Sequence, residues 1–225
     1  MRGGLSRRDL GRCAVAGATA LVGCGSDIPT TFPPGLEPLE PNAAPRVAAQ
    51  GADRYPEAIT FERGKSDAFD WVHARANVKA SLPRTWEALR EPVVCIDRRR
   101  VHGWTITEGV EPEYPYSFRI HHVVRDIVTV EFDLVWRHGP LEGSAATPGR
   151  PTAVGARYQK VYGSSYIQLL RGSVVARQVD ESVTGLEFIR HVKASSGGTD
   201  DLQQYLQDYY NSILARVRGQ ALPTY

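Results

Sequence analysis

His122 falls between Ile120 and Val124 in a run where apolar and polar residues alternate, so its imidazole is expected on the apolar face of a strand. An imidazole held there could orient the polar group of an apolar ligand or transfer a proton near neutral pH. A histidine so placed is more often a core residue satisfied by a neighbour. Arg171 and Arg190 also lie on strand-like runs with apolar partners, and one turned inward would meet a carboxylate or phosphate. His121 belongs to the opposite, wetter face. His73, His138 and His191 show no spacing with Cys, Asp or Glu that marks a metal site, so neither a metal nor a cofactor is expected. Glu131 and Asp133 flank Phe132 and alternate outward, which suits solvated carboxylates better than a paired acid and base. Arg171-Gly172-Ser173 reads as a bulge rather than a phosphate loop, and no G-x-S-x-G elbow is present. No catalytic residue is assigned.

The three cysteines separate by context. Cys13 opens an uncharged, small and apolar run to Gly23, preceded by Arg2, Arg7, Arg8 and Arg12. A basic region followed by an apolar stretch this short has the form of a signal peptide, and it is far below the roughly 20 apolar residues of a membrane span. Ser6-Arg7-Arg8-x-Leu10 resembles a twin-arginine export signal, although Gly11 stands where a bulkier residue is usual. Leu21-Val22-Gly23-Cys24 resembles the bacterial lipobox, which implies cleavage before Cys24 and its acylation. More than one acyl chain makes such an anchor stable. The implied location is the bacterial cell envelope, lipid-anchored to the inner or the outer membrane. Gly25-Ser26, with no Asp directly after the cysteine, is a weak pointer to the outer one. Cys95 then stands alone, so no internal disulfide can form, and it is expected as a small buried apolar side chain.

Loss of residues 1–23 removes four arginines and one aspartate, leaving 23 basic and 24 acidic residues and a net charge of −1. That balance excludes a basic nucleic-acid-binding protein, and Arg98-Arg99-Arg100 reads as a solvated turn or strand edge. A hydrophobic content of 42% is enough for one core. The chain divides into a signal segment 1–23, a lipidated tether 24–57 and a domain 58–225. The tether carries seven of the 15 prolines and few large apolar residues, so it is expected to stay extended and hold the domain away from the bilayer.

Within the domain, alternation predicts strands over 71–80, 102–110, 116–124, 128–136, 155–163, 166–179 and 183–194. Ser81 and Pro83 open a short helix, and a helical turn is expected over 91–97. Residues 139–154 read as a long Gly/Pro loop. Leu202, Tyr205, Leu206, Tyr209, Tyr210, Ile213, Leu214 and Val217 repeat at three and four, which predicts one long amphipathic helix, capped at Thr199 or Asp200 and ended by Gly219. A stripe that wide must lie on something apolar, and the alternating strands are the only candidate.

The order of elements, the stretch Val78-Lys79-Ala80-Ser81-Leu82-Pro83-Arg84-Thr85-Trp86-Glu87-Ala88-Leu89, and the last strand leading into the long helix resemble the START/SRPBCC superfamily over about residues 68–219. The resemblance implies an α+β helix-grip fold, a curved antiparallel sheet of six or seven strands wrapped around the C-terminal helix. It further implies a cavity for a hydrophobic small molecule or lipid. The lining would come from Trp104, Phe118, Ile120, His122, Phe132, Leu134, Trp136, Tyr158, Tyr162, Phe188, Arg190, Tyr205, Leu206 and Tyr209. The same residues could instead close a solid core. Three functions stay open: a ligand-binding domain, a cyclase-like enzyme, and a module that binds an envelope partner through its surface.

Overall fold

The computed structural model describes residues 30–143 and 150–225. Arg7, Arg8 and Cys24, with the signal and lipidation motifs they carry, lie outside the described residues. The described chain forms eight strands: β1 Ile59–Lys65, β2 Asp70–Val78, β3 Gly103–Glu108, β4 Tyr116–Arg125, β5 Thr129–Gly143, β6 Pro151–Gly163, β7 Ile167–Asp180 and β8 Val183–Ala194. Helix α1 spans Leu82–Arg90 and helix α2 spans Thr199–Val217, with a 3-10 turn at Pro92–Cys95. All strands join one antiparallel sheet in the order β1-β2-β8-β7-β6-β5-β4-β3. This is the expected α+β helix-grip architecture, with eight strands rather than six or seven. The extra strand is β1, whose residues alternate too weakly to be seen without β2 beside them.

The inner face follows from the register. Phe118, Trp136, Tyr158, Gly172, Arg190 and Val72 form one transverse row across β4, β5, β6, β7, β8 and β2. The next row runs Tyr116, His138, Ala156, Val174, Phe188 and Ala74. Helix α2 closes this face with buried Leu202, Tyr205, Leu206, Tyr209, Tyr210, Ile213 and Val217. Its N-cap is Gly198, one residue before the expected pair, and the Asp201 carboxylate accepts the Gly198 N–H (3.1 Å). The stretch 139–154 is not a long loop: β5 continues to Gly143 and β6 resumes at Pro151, extending the hairpin. Pro140 is tolerated there because the pairing is irregular around it.

The largest departure concerns residues 30–57, which are no free tether. They cross the outer face of the sheet as a strap. The Thr30 N–H donates to Val161 O (2.8 Å) on β6. Gln159 Nε2 donates to Thr31 O (2.7 Å), and Ser173 Oγ accepts the Leu39 N–H (3.2 Å). Asn42 Nδ2 donates to both Ala74 O and Phe188 O (3.1 and 3.0 Å), and Thr60 Oγ1 to Pro45 O (2.5 Å). Arg137, on the same outward face of β5 as Glu131 and Asp133, is buried beneath the strap, paired with Glu111, with its guanidinium stacked on Phe32 (3.6 Å). Proline lacks an N–H, so a Pro-rich strand of chain can lie on a sheet with few donors left unpaired. Outward Val135, Val175 and Ile189 are buried for the same reason.

Candidate functional site

Arg190 is the centre of the interior site. It sits on the inner face of β8 with only 8% of its surface exposed. Nη1 donates to Tyr158 Oη (3.3 Å), and the guanidinium stacks on the Tyr205 ring at 3.7 Å. Gly172 stands between Arg190 and Tyr158 in the transverse row, and a Cβ there would lie 2.2 Å from Tyr158 Oη. This close approach, rather than a bulge, is what requires glycine at 172. No carboxylate lies within ion-pair distance of Arg190 among the described residues, and Asp97 acts on it only through space. Burial raises the phenol pKa of Tyr158 and lifts that of Tyr205 well above its usual range, so both are neutral near pH 7 and supply no counter-charge. Of the five N–H donors of this always-charged group, one is used within the described chain.

An aromatic shell surrounds the cation. Trp136 stacks on Tyr158 (4.1 Å between centroids), meets Tyr209 edge-on (6.1 Å), and Phe188 meets Tyr209 at 5.6 Å. Tyr205 Oη donates to Cys95 O (2.9 Å), which ties α2 to the 3-10 turn. Trp136 Nε1 and Tyr209 Oη are buried donors with no hydrogen-bond partner among the described residues. Phe118, Ile120, Phe132, Leu134, Trp136, Tyr158, Phe188, Tyr205, Leu206 and Tyr209 are all buried on or against the inner face. His122 is buried too and stacks on Phe132 (4.8 Å). Its Nδ1 donates to Ile120 O (3.1 Å), and burial pushes its pKa down to about 4, so the ring is neutral near pH 7.

Two expected lining residues fall elsewhere. Trp104, on edge strand β3, is 42% exposed at the rim of the inner face, because no strand covers its far side. Tyr162 is 47% exposed and pairs with outward Asp133. A register shift between Asp133 and Leu134 leaves Val161 without a partner on β5, and one extra residue flips the alternation. The same strand turns Lys160 inward, where its Nζ donates to Gly163 O (2.9 Å). Arg171 faces outward, so Arg190 alone of the pair enters. Arg98, Arg99 and Arg100 form a turn with Arg99 and Arg100 exposed, as expected, and their contacts with Ser212, Asp208 and Asp201 also fasten the chain before β3 to α2. Cys95 is buried, and desolvation raises its thiol far above the ordinary range, leaving an inert side chain.

Sequence spacing gave no hint of a second cluster, on the outer face. Glu40 of the strap meets His73 and His191, with one ligand atom from each within 4.8 Å of the others. His73 lies diagonal to His191 on paired strands β2 and β8, and Glu40 arrives from a segment 33 residues away. His73 Nδ1 accepts the Ala43 N–H (2.8 Å) and His191 Nδ1 accepts Arg171 Nε–H (3.3 Å). Both rings therefore carry their proton on Nε2 and donate it to Glu40 Oε1 (2.8 and 3.2 Å). A metal ligand would present a lone pair at Nε2 and give its other N–H to an acceptor. Here both second nitrogens face donors, so the arrangement is a hydrogen-bonded latch for the strap.

No protein-family model matches the chain, and no curated protein matches it. Solved structures similar in fold include human StAR-related lipid transfer protein 5, at 10% identity and TM-score 0.49, over 74% of this chain and 83% of that one. A START superfamily protein from Mycobacterium smegmatis has 11% identity and TM-score 0.47, over 66% and 97%. The Zhui aromatase/cyclase from Streptomyces sp. R1128 has 13% identity and TM-score 0.44, over 67% and 92%.

Proposed function

We propose that this chain is a lipid-anchored envelope protein of the START/SRPBCC type whose helix-grip domain binds an apolar molecule bearing an acidic or strongly accepting group. The observation that carries the reading is Arg190, a buried cation with no carboxylate partner among the described residues. A lone buried charge costs several kcal/mol, and an acidic ligand group would supply both the counter-charge and the missing acceptors. The buried Trp136 Nε1 and Tyr209 Oη add two donors beside it. The surrounding rings suit an apolar body, as in ligand sites with few polar fixing groups. Anchoring through Cys24 would keep the domain where such molecules are found.

Native mass spectrometry tests the ligand. The mature chain, kept from residue 25 onward because the strap belongs to the fold, is incubated with lipids extracted from the envelope. A bound species of defined mass that Arg190→Met loses is expected. Bare protein in both cases sinks the reading in favour of a surface-binding module. For the anchor, Cys24→Ala is expected to leave the protein unlipidated and released from membranes; a variant that still fractionates as mature lipidated protein overturns it.

A further inference from the structure

The strap sets how far the domain can stand from its anchor. Thr30 is already hydrogen-bonded to Val161 near the end of β6. Only residues 25–29 lie between it and Cys24. Six Cα-to-Cα steps of fully extended chain reach about 22 Å at most, less than the roughly 30 Å thickness of the bilayer's hydrocarbon core. A lipid on Cys24 would therefore hold the end of the sheet where β6 finishes close to the membrane surface.

That same end carries the starts of β3, β5 and β7, the finishes of β4, β6 and β8, and the N-terminus of α2. Among the described residues, four of the six exposed large apolar side chains are gathered there: Ile127 at 98% exposure, Tyr162 at 47%, Trp104 at 42% and Tyr166 at 37%. Ile127 occupies the tip of the β4–β5 turn, where Gly, Asn or Asp would be ordinary. Trp and Tyr are the side chains that favour the headgroup layer, with an apolar body and a polar tip. Exposed Arg125 and Lys193 make no ion pair among the described residues and stand at the same end, in reach of phosphate groups. Asp126 offsets Arg125, so the apolar side chains rather than net charge carry the contact.

We propose that this end of the domain docks on the bilayer that holds the anchor, with Ile127, Trp104, Tyr162 and Tyr166 in the membrane interface. The proposal rests on the reading of Cys24 as lipidated. It gives the strap a role opposite to that of a spacer: it turns one rim of the inner face toward the membrane. Arg190, four positions before the end of β8 at that rim, then lies on the membrane side of the domain.

The test uses the full-length, processed protein reconstituted into vesicles of phosphatidylethanolamine and phosphatidylglycerol, with and without bromine on the acyl chains. Bromine is expected to quench tryptophan fluorescence in the wild type. Trp104→Phe should remove most of that quenching and Ile127→Asp should weaken it, while both variants still float with the vesicles. Both positions are solvent-exposed, so neither substitution threatens the core. Flotation without any Trp104-dependent quenching overturns the docking and leaves the anchor intact. Failure to float overturns the anchor and the docking together.

Discussion

Replacing Arg190 by Met separates a ligand-binding cation from a structural one. The substitution removes the 3.3 Å bond to Tyr158 Oη, about 1 kcal/mol. It also removes the stacking on Tyr205, about 0.5–2 kcal/mol. Against these losses it relieves the desolvation of an unpaired buried charge, and apolar replacement of buried ions is often neutral or stabilising by about 1–4 kcal/mol. Met has similar length and adaptable rotamers, so little cavity is left. The expected result is a urea midpoint that is unchanged or raised, with an unchanged m-value. Binding of an acidic probe, a fluorescent polyene fatty acid, should weaken about 10- to 150-fold, since a hydrogen bond to a charged group contributes about 1.5–3 kcal/mol. The corresponding alcohol should bind the wild type less tightly than the acid and should be little affected by the substitution. A loss of more than about 3 kcal/mol in stability, with acid and alcohol bound equally by the wild type, would refute the reasoning and make Arg190 a strut of the core.

Glu40→Ala should strip the acceptor from two buried histidine N–H groups and cost about 1–3 kcal/mol; faster amide exchange at Ala43 would locate the loss in the strap, and unchanged protection there would deny the latch. Acid should also destabilise the fold. Burial holds the pKa of His122 down to about 4 and that of His138 down to about 3, so below the ordinary value near 6.5 the unfolded chain binds protons that the folded one does not. Stability from this source is complete above about pH 6.5 and falls through that window by roughly 3 kcal/mol per histidine at pH 4. His138→Phe, which keeps the stack on Phe118 and removes two ring nitrogens lacking partners among the described residues, should raise stability near neutrality and reduce the acid slope of Tm. An unaltered slope would mean that the ring is not held neutral.

The sequence by itself determined most of the elements and most faces, though not β1 or the full length of the β5–β6 hairpin. Strand β8 and helix α2 stand where their periodicities placed them, since period 2 and period 3.6 are local properties that burial of one face makes visible. The inward set Phe118, Ile120, Phe132, Leu134 and Trp136 follows from the same alternation, and the proposal for Cys24 rests on local motif alone. What covers the second face was not legible, because alternation records that a face is half-polar and not which distant segment lies on it. Val135, Val175 and Ile189 at outward positions were the one available signal that something did. Nor could spacing choose Arg190 over Arg171, join Glu40 to His73 and His191, or foresee that an extra residue at Val161 would turn Tyr162 out. Each of these depends on register between strands and on a strap that crosses them. Such long-range pairings are fixed when the whole sheet closes around α2, not by any residue's near neighbours in the chain.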